Sequence, residues 1–297
     1  MAFLCIDIGG TNTILGVGNG DFKVTEKMRT ERFLNDIEAA VDDALKFIEQ
    51  DRDDIEQVAV AAAGPIDRKE KLFYPPNFFP DSGMEEVDLG ALLPDAEDLI
   101  IVNDCTAAVV GEYHYGDHDT ENLVYITISS GIGAGVILEG EVIEAVDGNF
   151  GEVGHMKVGD ELECGCGGTG HWEAYCSGMN MPKMAKELFD ADFKDAKQIF
   201  DQYDHYNSKA ERTIAKMHEV NGFCVANVSN LFNPEKIIFG GALPLNHPEM
   251  VVNPLRNEVK EESVNRVPEI ELCDLEEESV LQGLRAVCNG KYKPGQA

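Results

Sequence analysis

Between Gly151 and Glu173 the chain reads GEVGHMKVGDELECGCGGTGHWE, which gathers His155, Cys164, Cys166 and His171 into one short stretch. Thiolates mixed with imidazoles favour tetrahedral zinc, and four such ligands close the coordination sphere, so the expected site is structural. One residue separates the two cysteines and four separate Cys166 from His171, inside a Gly-rich turn. The plainer reading is a pair of buried thiols beside two unrelated histidines. Glu152 and Glu173 bracket the cluster without being obvious ligands, which leaves them for other chemistry.

Two glycine turns come earlier. In DIGGTNT, Asp7 closes an apolar strand and Gly9 and Gly10 follow at once, with Thr11 and Asn12 behind them. Backbone N–H groups there can approach a phosphate with no side chain in the way, although an ordinary hairpin turn has the same outline. SSGIGAG supplies a second turn through Gly131, Ile132, Gly133 and Gly135. Two such turns in equivalent places of two halves suit a nucleoside triphosphate. Neither is a Walker loop or a Rossmann fingerprint. No Lys or Arg occurs in residues 1–20 or 129–156, so bound phosphates need backbone amides and a divalent cation. Asp7 is the expected holder of hydrated magnesium; its alternative is a carboxylate accepting the turn's own N–H groups. Asn103–Asp104 follows another apolar strand, where a helix cap is one reading. The chemical reading makes Asp104 the base that takes a proton from a substrate hydroxyl as it attacks a γ-phosphate.

The elements that position these groups come from periodicity. Phe3–Ile8, 13–18 and 23–29 read as strands, Asn35 as the cap of a helix carrying Ile37, Val41, Ala44 and Leu45, and Val58–Ala63 as a buried strand. Residues 69–94, rich in Pro and Asp, read as one long functional loop. Leu99–Val102 is a strand and Thr106–Tyr115 a helix, placing Asn103 and Asp104 where open α/β sheets bind ligands. The pattern restarts with strands at 123–128, 136–138 and 141–144, then a long helix opened by a Ser208–Glu211 capping box, and a strand ending in Gly240–Gly241. Two similar α/β lobes facing a cleft are predicted: 1–115 and 116–278, with the 155–171 metal module inside the second.

Composition limits the function classes. Asp and Glu number 55 against 24 Lys and Arg, a formal net charge of −31 spread along the chain. That argues against nucleic acid, whose phosphates need a basic face. It fits adaptation to high salt, where screening shortens the Debye length to roughly 3 Å at 1 M. The start MAFLCIDIGG has no basic region before its short apolar run, which Asp7 interrupts, and no run approaches the ~18 apolar residues of a membrane span, so neither an export signal nor a span is expected. Eight cysteines without a disulfide-dense module fit a reducing cytoplasm.

In order along the chain, DIGGTNT, NDCTAA, SSGIGAG, GEVGHMKV joined to CGCGGTGHWEAYCSG, and IIFGGAL resemble the motifs of the ROK family of sugar kinases and sugar-responsive repressors. The resemblance implies an actin-like (ribonuclease H-like), duplicated two-lobe sugar kinase fold with an inserted zinc module, the C-terminal helix, about 279–297, joining the N-terminal lobe. It implies ATP with Mg2+, structural Zn2+, a hexose substrate phosphorylated at its 6-hydroxyl, glucose first, and a homodimer. Asp104 would be the base; Asn77, Asn103, Glu152, His155 and Glu173 would hold the sugar; Gly240 and Gly241 would lie on the adenosine side. Family members carry a cysteine where this chain has His171, so Cys176 competes for the fourth zinc position. Rival readings are a kinase for fructose, mannose or an N-acetylhexosamine, and a non-catalytic sugar sensor. A repressor is disfavoured, since DIGGT starting at Asp7 leaves no room for a winged helix before it.

Overall fold

Residues 2–8 are apolar at nearly every position because the strand they form is covered on both sides. In the computed structural model, which describes residues 2–19, 21–25, 27–47, 49, 54–74, 86–93 and 98–295, this strand opens the chain. The order is β1 (Ala2–Ile8), β2 (Asn12–Asn19), β3 (Asp21–Val24), β4 (Met28–Arg29), α1 (Thr30–Asn35), α2 (Ile37–Phe47), β5 (Ile55–Ala62), β6 (Ile66–Asp67), β7 (Leu72–Phe73), β8 (Val87–Asp88), α3 (Leu89–Leu92), β9 (Leu99–Asn103) and α4 (Asp104–Tyr115). It continues with β10 (Leu123–Ile128), β11 (Ile132–Leu138), β12 (Glu141–Val142), α5 (Trp172–Cys176), α6 (Met181–Phe189), α7 (Ala196–Tyr203), α8 (Ser208–Phe232), β13 (Lys236–Gly240), α9 (Ala242–Asn246), α10 (Pro248–Val251), α11 (Leu255–Glu262), β14 (Glu269–Leu272) and α12 (Ser279–Cys288). Two compact units result: Met1–His118 with Val142–Phe150 and Glu278–Ala297, and Asp119–Glu141 with Gly151–Glu277.

In the first unit, β1 pairs antiparallel with β2 and parallel with β5, and β5 parallel with β9, in the order β3-β2-β1-β5-β9 with β4 added on β2. Leu4, Ile6 and Ile8 bury against Phe33, Val41 and Leu45 on one face, while Phe3 and Cys5 bury against Ala107, Leu281, Leu284 and Val287 on the other. Each such side chain contributes about 1.5–3 kcal/mol of transfer free energy. Alternation puts Asp7 on the face of Phe3 and Cys5, the one covered by α4 and α12. Those helices cross closely: a Cβ on Gly111 would fall 2.0 Å from the Ser279 carbonyl oxygen, and one on Gly283 1.7 Å from that of Ala107.

The second unit repeats the arrangement. Its sheet runs β12-β11-β10-β13-β14, with β10–β11 antiparallel and β10–β13–β14 parallel. Both units are therefore α/β with mixed sheets. The long α8 buries Trp172, whose indole N–H donates to Asn221 Oδ1 at 2.7 Å.

Three local expectations need correction. Asp36, not Asn35, caps α2, its Oδ1 accepting from Ala39 N at 3.1 Å, because α1 takes up Asn35 itself. Asn207 caps α8 in place of Ser208, its amide oxygen accepting from Lys209 and Ala210 N. The stretch 69–94 is not one loop: β7, β8 and α3 fall within it, and β6-β7-β8 form a small antiparallel sheet. Among the described residues no helix is long and apolar enough to cross a membrane.

Candidate active site

Asp7 and Asp104 come to the same edge of the first unit because β1, β5 and β9 run parallel and in register. Asp7 lies opposite Ala61, Ala61 opposite Val102, and Asp104 begins α4 two residues later. Asn103 caps that helix: its Oδ1 accepts from Cys105 N at 2.9 Å and Thr106 N at 3.2 Å, which leaves its amide N–H groups to donate elsewhere. The cap is thus real. Both carboxylates are half-buried. Loss of water, and then the neighbouring Asp104 charge, push the Asp7 carboxyl up to about 7, against the opposing pull of Lys27. Asp104 is raised by burial, partly offset by the Cys105 N–H it accepts. A pair of crowded carboxylates at one strand edge favours a divalent cation or a proton acceptor tuned near neutrality.

The Gly9–Asn12 turn beside Asp7 is closed by Gly9 N donating to Asn12 O at 3.1 Å. Thr30 braces it: its hydroxyl donates to Gly9 O at 2.7 Å and its N–H to Thr11 O at 3.1 Å. Thr11 and Asn12 stay exposed. Neither Thr30 nor Lys27 was identifiable from the sequence, since both lie outside the motif they serve. Asn77 lies outside the described residues, as do Phe78 and Phe79.

In the second unit, residues 157–171 fold into a small knuckle, with bridges Lys157–His171 and Glu163–Thr169. Gly168 leaves room for the His171 ring, since a Cβ there would lie 2.3 Å from its Cε1. The result brings His155, Cys164, Cys166 and His171 together, one ligand atom of each lying within 4.8 Å of every other. His155 Nδ1 and His171 Nδ1 are 3.3 Å apart, Cys164 Sγ is 3.7 Å from the first and Cys166 Sγ 3.3 Å from the second. Metal–ligand bonds of roughly 2.0 Å to nitrogen and 2.3 Å to sulfur give tetrahedron edges of about 3.3–3.8 Å, so the quartet fits a zinc-sized cation. Cys176 sits elsewhere, its thiol against the Met217 carbonyl at 3.7 Å, and burial raises it well above the ordinary thiol range. With Nδ1 in the quartet, the other His155 nitrogen faces Glu152 Oε2 at 3.7 Å.

Glu173 is only 4% exposed and joins the knuckle to the second glycine turn. Its Oε2 accepts from Ile132 N at 3.0 Å and its Oε1 from the Cys164 thiol at 3.7 Å. The Ile132 N–H is thereby engaged within the protein. Gly131 gives this carboxylate room, since a Cβ there would fall 2.7 Å from Oε2 and displace it. Gly135 lies in β11 opposite Tyr125, inside the sheet rather than in the turn. Gly240 ends β13, and Gly241, at φ 86°, opens α9.

The ROK family model matches residues 3–287. The chain belongs to the ROK family. Among its relatives, a glucokinase of Pyrobaculum calidifontis is 32% identical over 200 residues, 67% of each chain. An N-acetylmannosamine kinase of Salmonella typhi is 28% identical over 249 residues, 82% of this chain and 84% of the other. The solved ROK family glucokinase of Streptomyces griseus, in complex with glucose and AMPPNP, superimposes with a TM-score of 0.77 at 26% identity, covering 96% of this chain and 98% of that one.

Proposed function

We propose that the chain is an ATP-dependent hexose kinase of glucokinase type, moving the γ-phosphoryl group of ATP to the 6-hydroxyl of glucose. The observation that carries this reading is the pair Asp7 and Asp104 at one edge of the sheet, beside a braced glycine turn. Family membership and relatives named as glucokinases support it. The actin-like fold expected from the resemblance belongs to the same reading, supported by the repeated sheet order in the two units.

Asn103, Glu152, His155 and Glu173 hold the sugar hydroxyls, with Asn77. Backbone groups at Gly10, Thr11, Asn12, Gly131 and Gly133 take the phosphates; Gly9, Ile132 and Gly135, expected among them, drop out because the first two N–H groups are engaged by Asn12 O and Glu173 and the third residue lies within β11 opposite Tyr125. Gly240 and Gly241 take the nucleoside side, and Asp7 holds magnesium through water. Asp104 takes the hydroxyl proton as the sugar oxygen bonds to the γ-phosphorus. The bond to the bridging oxygen breaks and ADP leaves with its electrons. His155, Cys164, Cys166 and His171 hold zinc, whose contribution is to fix the knuckle. With its Nδ1 so engaged, His155 presents the other ring nitrogen to Glu152 and the sugar.

The N-acetylmannosamine kinase relative favours one second reading, an N-acetylhexosamine acceptor. A coupled assay over glucose, fructose, mannose and N-acetylmannosamine with ATP, ADP or polyphosphate separates them. Glucose with ATP is expected to give the highest kcat/KM; a preference for N-acetylmannosamine selects the second reading, and no turnover with any pair rejects both.

A further inference from the structure

Residues 142–150 belong with the first unit although the chain on either side of them builds the second. The segment is held at two points. Asn149 uses its whole amide on one main-chain residue: Oδ1 accepts from Ile66 N at 2.6 Å and Nδ2 donates to Ile66 O at 2.9 Å. Asn149 N in turn donates to Asp147 Oδ1 at 3.0 Å, a turn that fixes where the amide points. Upstream, the buried Glu144 forms an ion pair with Arg68, just past Ile66, and its second oxygen accepts from Gly295 N at 2.6 Å. Gly148, at φ 84°, lets the guanidinium in: a Cβ there would fall 2.4 Å from Arg68 Cζ. A buried carboxylate paired and hydrogen-bonded on both oxygens resists displacement, since losing either partner strands a charge away from water.

Beyond Asn149 come Phe150 and Gly151, then Glu152. Gly151 is pinned in its turn, its carbonyl accepting from Ala134 N at 2.8 Å. Glu152 is exposed and caps the short turn Val153–His155 that carries His155. Its carboxylate lies 3.7 Å from His155 Nε2, and three residues of backbone, about 10 Å at full extension, tie it to Asn149.

We propose that Asn149, with Arg68 and Glu144, positions Glu152 for the sugar. This rests on the reading above that Glu152 and His155 bind the hexose. Asn149 and Arg68 touch no reacting atom; they are positioning residues.

The test compares Asn149→Ala, Glu152→Gln and the double variant in glucose and ATP kinetics, with a thermal melt of each. Asn149→Ala is expected to raise the glucose KM about tenfold, leaving the ATP KM within about twofold. In the Glu152→Gln background the same change is expected to add less than about twofold, because its effect passes through the missing carboxylate. Equal losses toward glucose and ATP, or additive effects in the double variant, overturn the proposal. Unchanged glucose KM in Asn149→Ala while Glu152→Gln raises it overturns the anchor alone. Unchanged glucose KM in Glu152→Gln overturns the sugar-site reading and the anchor with it. Should Asn149→Ala fail to fold, Arg68→Gln carries the same expectations from the other end of the segment.

Discussion

Asp7 and Asp104 each sit where their charged form is poorly solvated, and this has opposite consequences for folding and for function. Asp7 is pushed up to about 7 mainly by burial, with Asp104 adding repulsion. The folded state then holds its proton more tightly than the unfolded chain does. Stability from this group is full below the ordinary carboxylate range and is lost as pH rises toward 7. Asp7→Asn removes that penalty, so it is expected to raise the melting temperature at pH 8 and do little near pH 4. The gain is about 1–2 kcal/mol after discounting for solvent screening, read from melts without nucleotide. The cation role proposed for Asp7 needs the opposite form: as pH falls through about 7, Asp7 takes up its proton and the KM for Mg–ATP is expected to rise. A pH series in which that KM is flat from 6 to 8 removes Asp7 from cation binding.

In the second unit the knuckle holds the quartet His155, Cys164, Cys166 and His171, and in the first unit α4, which begins at Asp104, crosses α12. Chelation at pH 8 is expected to release one zinc per chain and lower the melting temperature, since the ligand quartet loses its tie. His171→Ala is expected to lose the metal and Cys176→Ala to keep it, as measured by zinc content; the reverse result places Cys176 in the site. Gly111→Ala would drive a methyl group to within 2.0 Å of the Ser279 carbonyl, so it is expected to cost about 1–3 kcal/mol in denaturant melts. Elements whose signal is local were legible in the sequence. The apolar run of β1 reflects burial on both faces, and the Cys-Gly-Cys spacing with two histidines foreshadowed a quartet the fold does assemble. Distant pairings left no such mark. Asn149 meets Ile66 across 83 positions and Glu173 meets Ile132 across 41, and neither pairing has a periodicity to reveal it. The short strands β7 and β8, two residues each, carry no alternation, so their region read as loop. Asn207 and Ser208 are both competent caps, and local propensity does not choose between neighbours.

For the molecule as a whole, the charge of −31 makes salt adaptation a testable expectation. Self-repulsion among acidic groups weakens as salt shortens the Debye length, so the melting temperature is expected to climb from dilute buffer to 1 M KCl. A melt that is cooperative and unchanged in dilute buffer contradicts salt adaptation. The two units share one sheet order, and the candidate phosphate turns arise at the same topological place in each, between the first two strands of the hairpin. That repetition, with ROK membership, is why phosphoryl transfer organises the reading better than any single motif. Its most direct test is the Asp104→Asn variant, with glucose binding measured by calorimetry and turnover by the coupled assay with Mg–ATP. Glucose affinity within about threefold of the parent with turnover down by roughly 100-fold or more is the expected result. Turnover within a few-fold of the parent would contradict Asp104 as the general base.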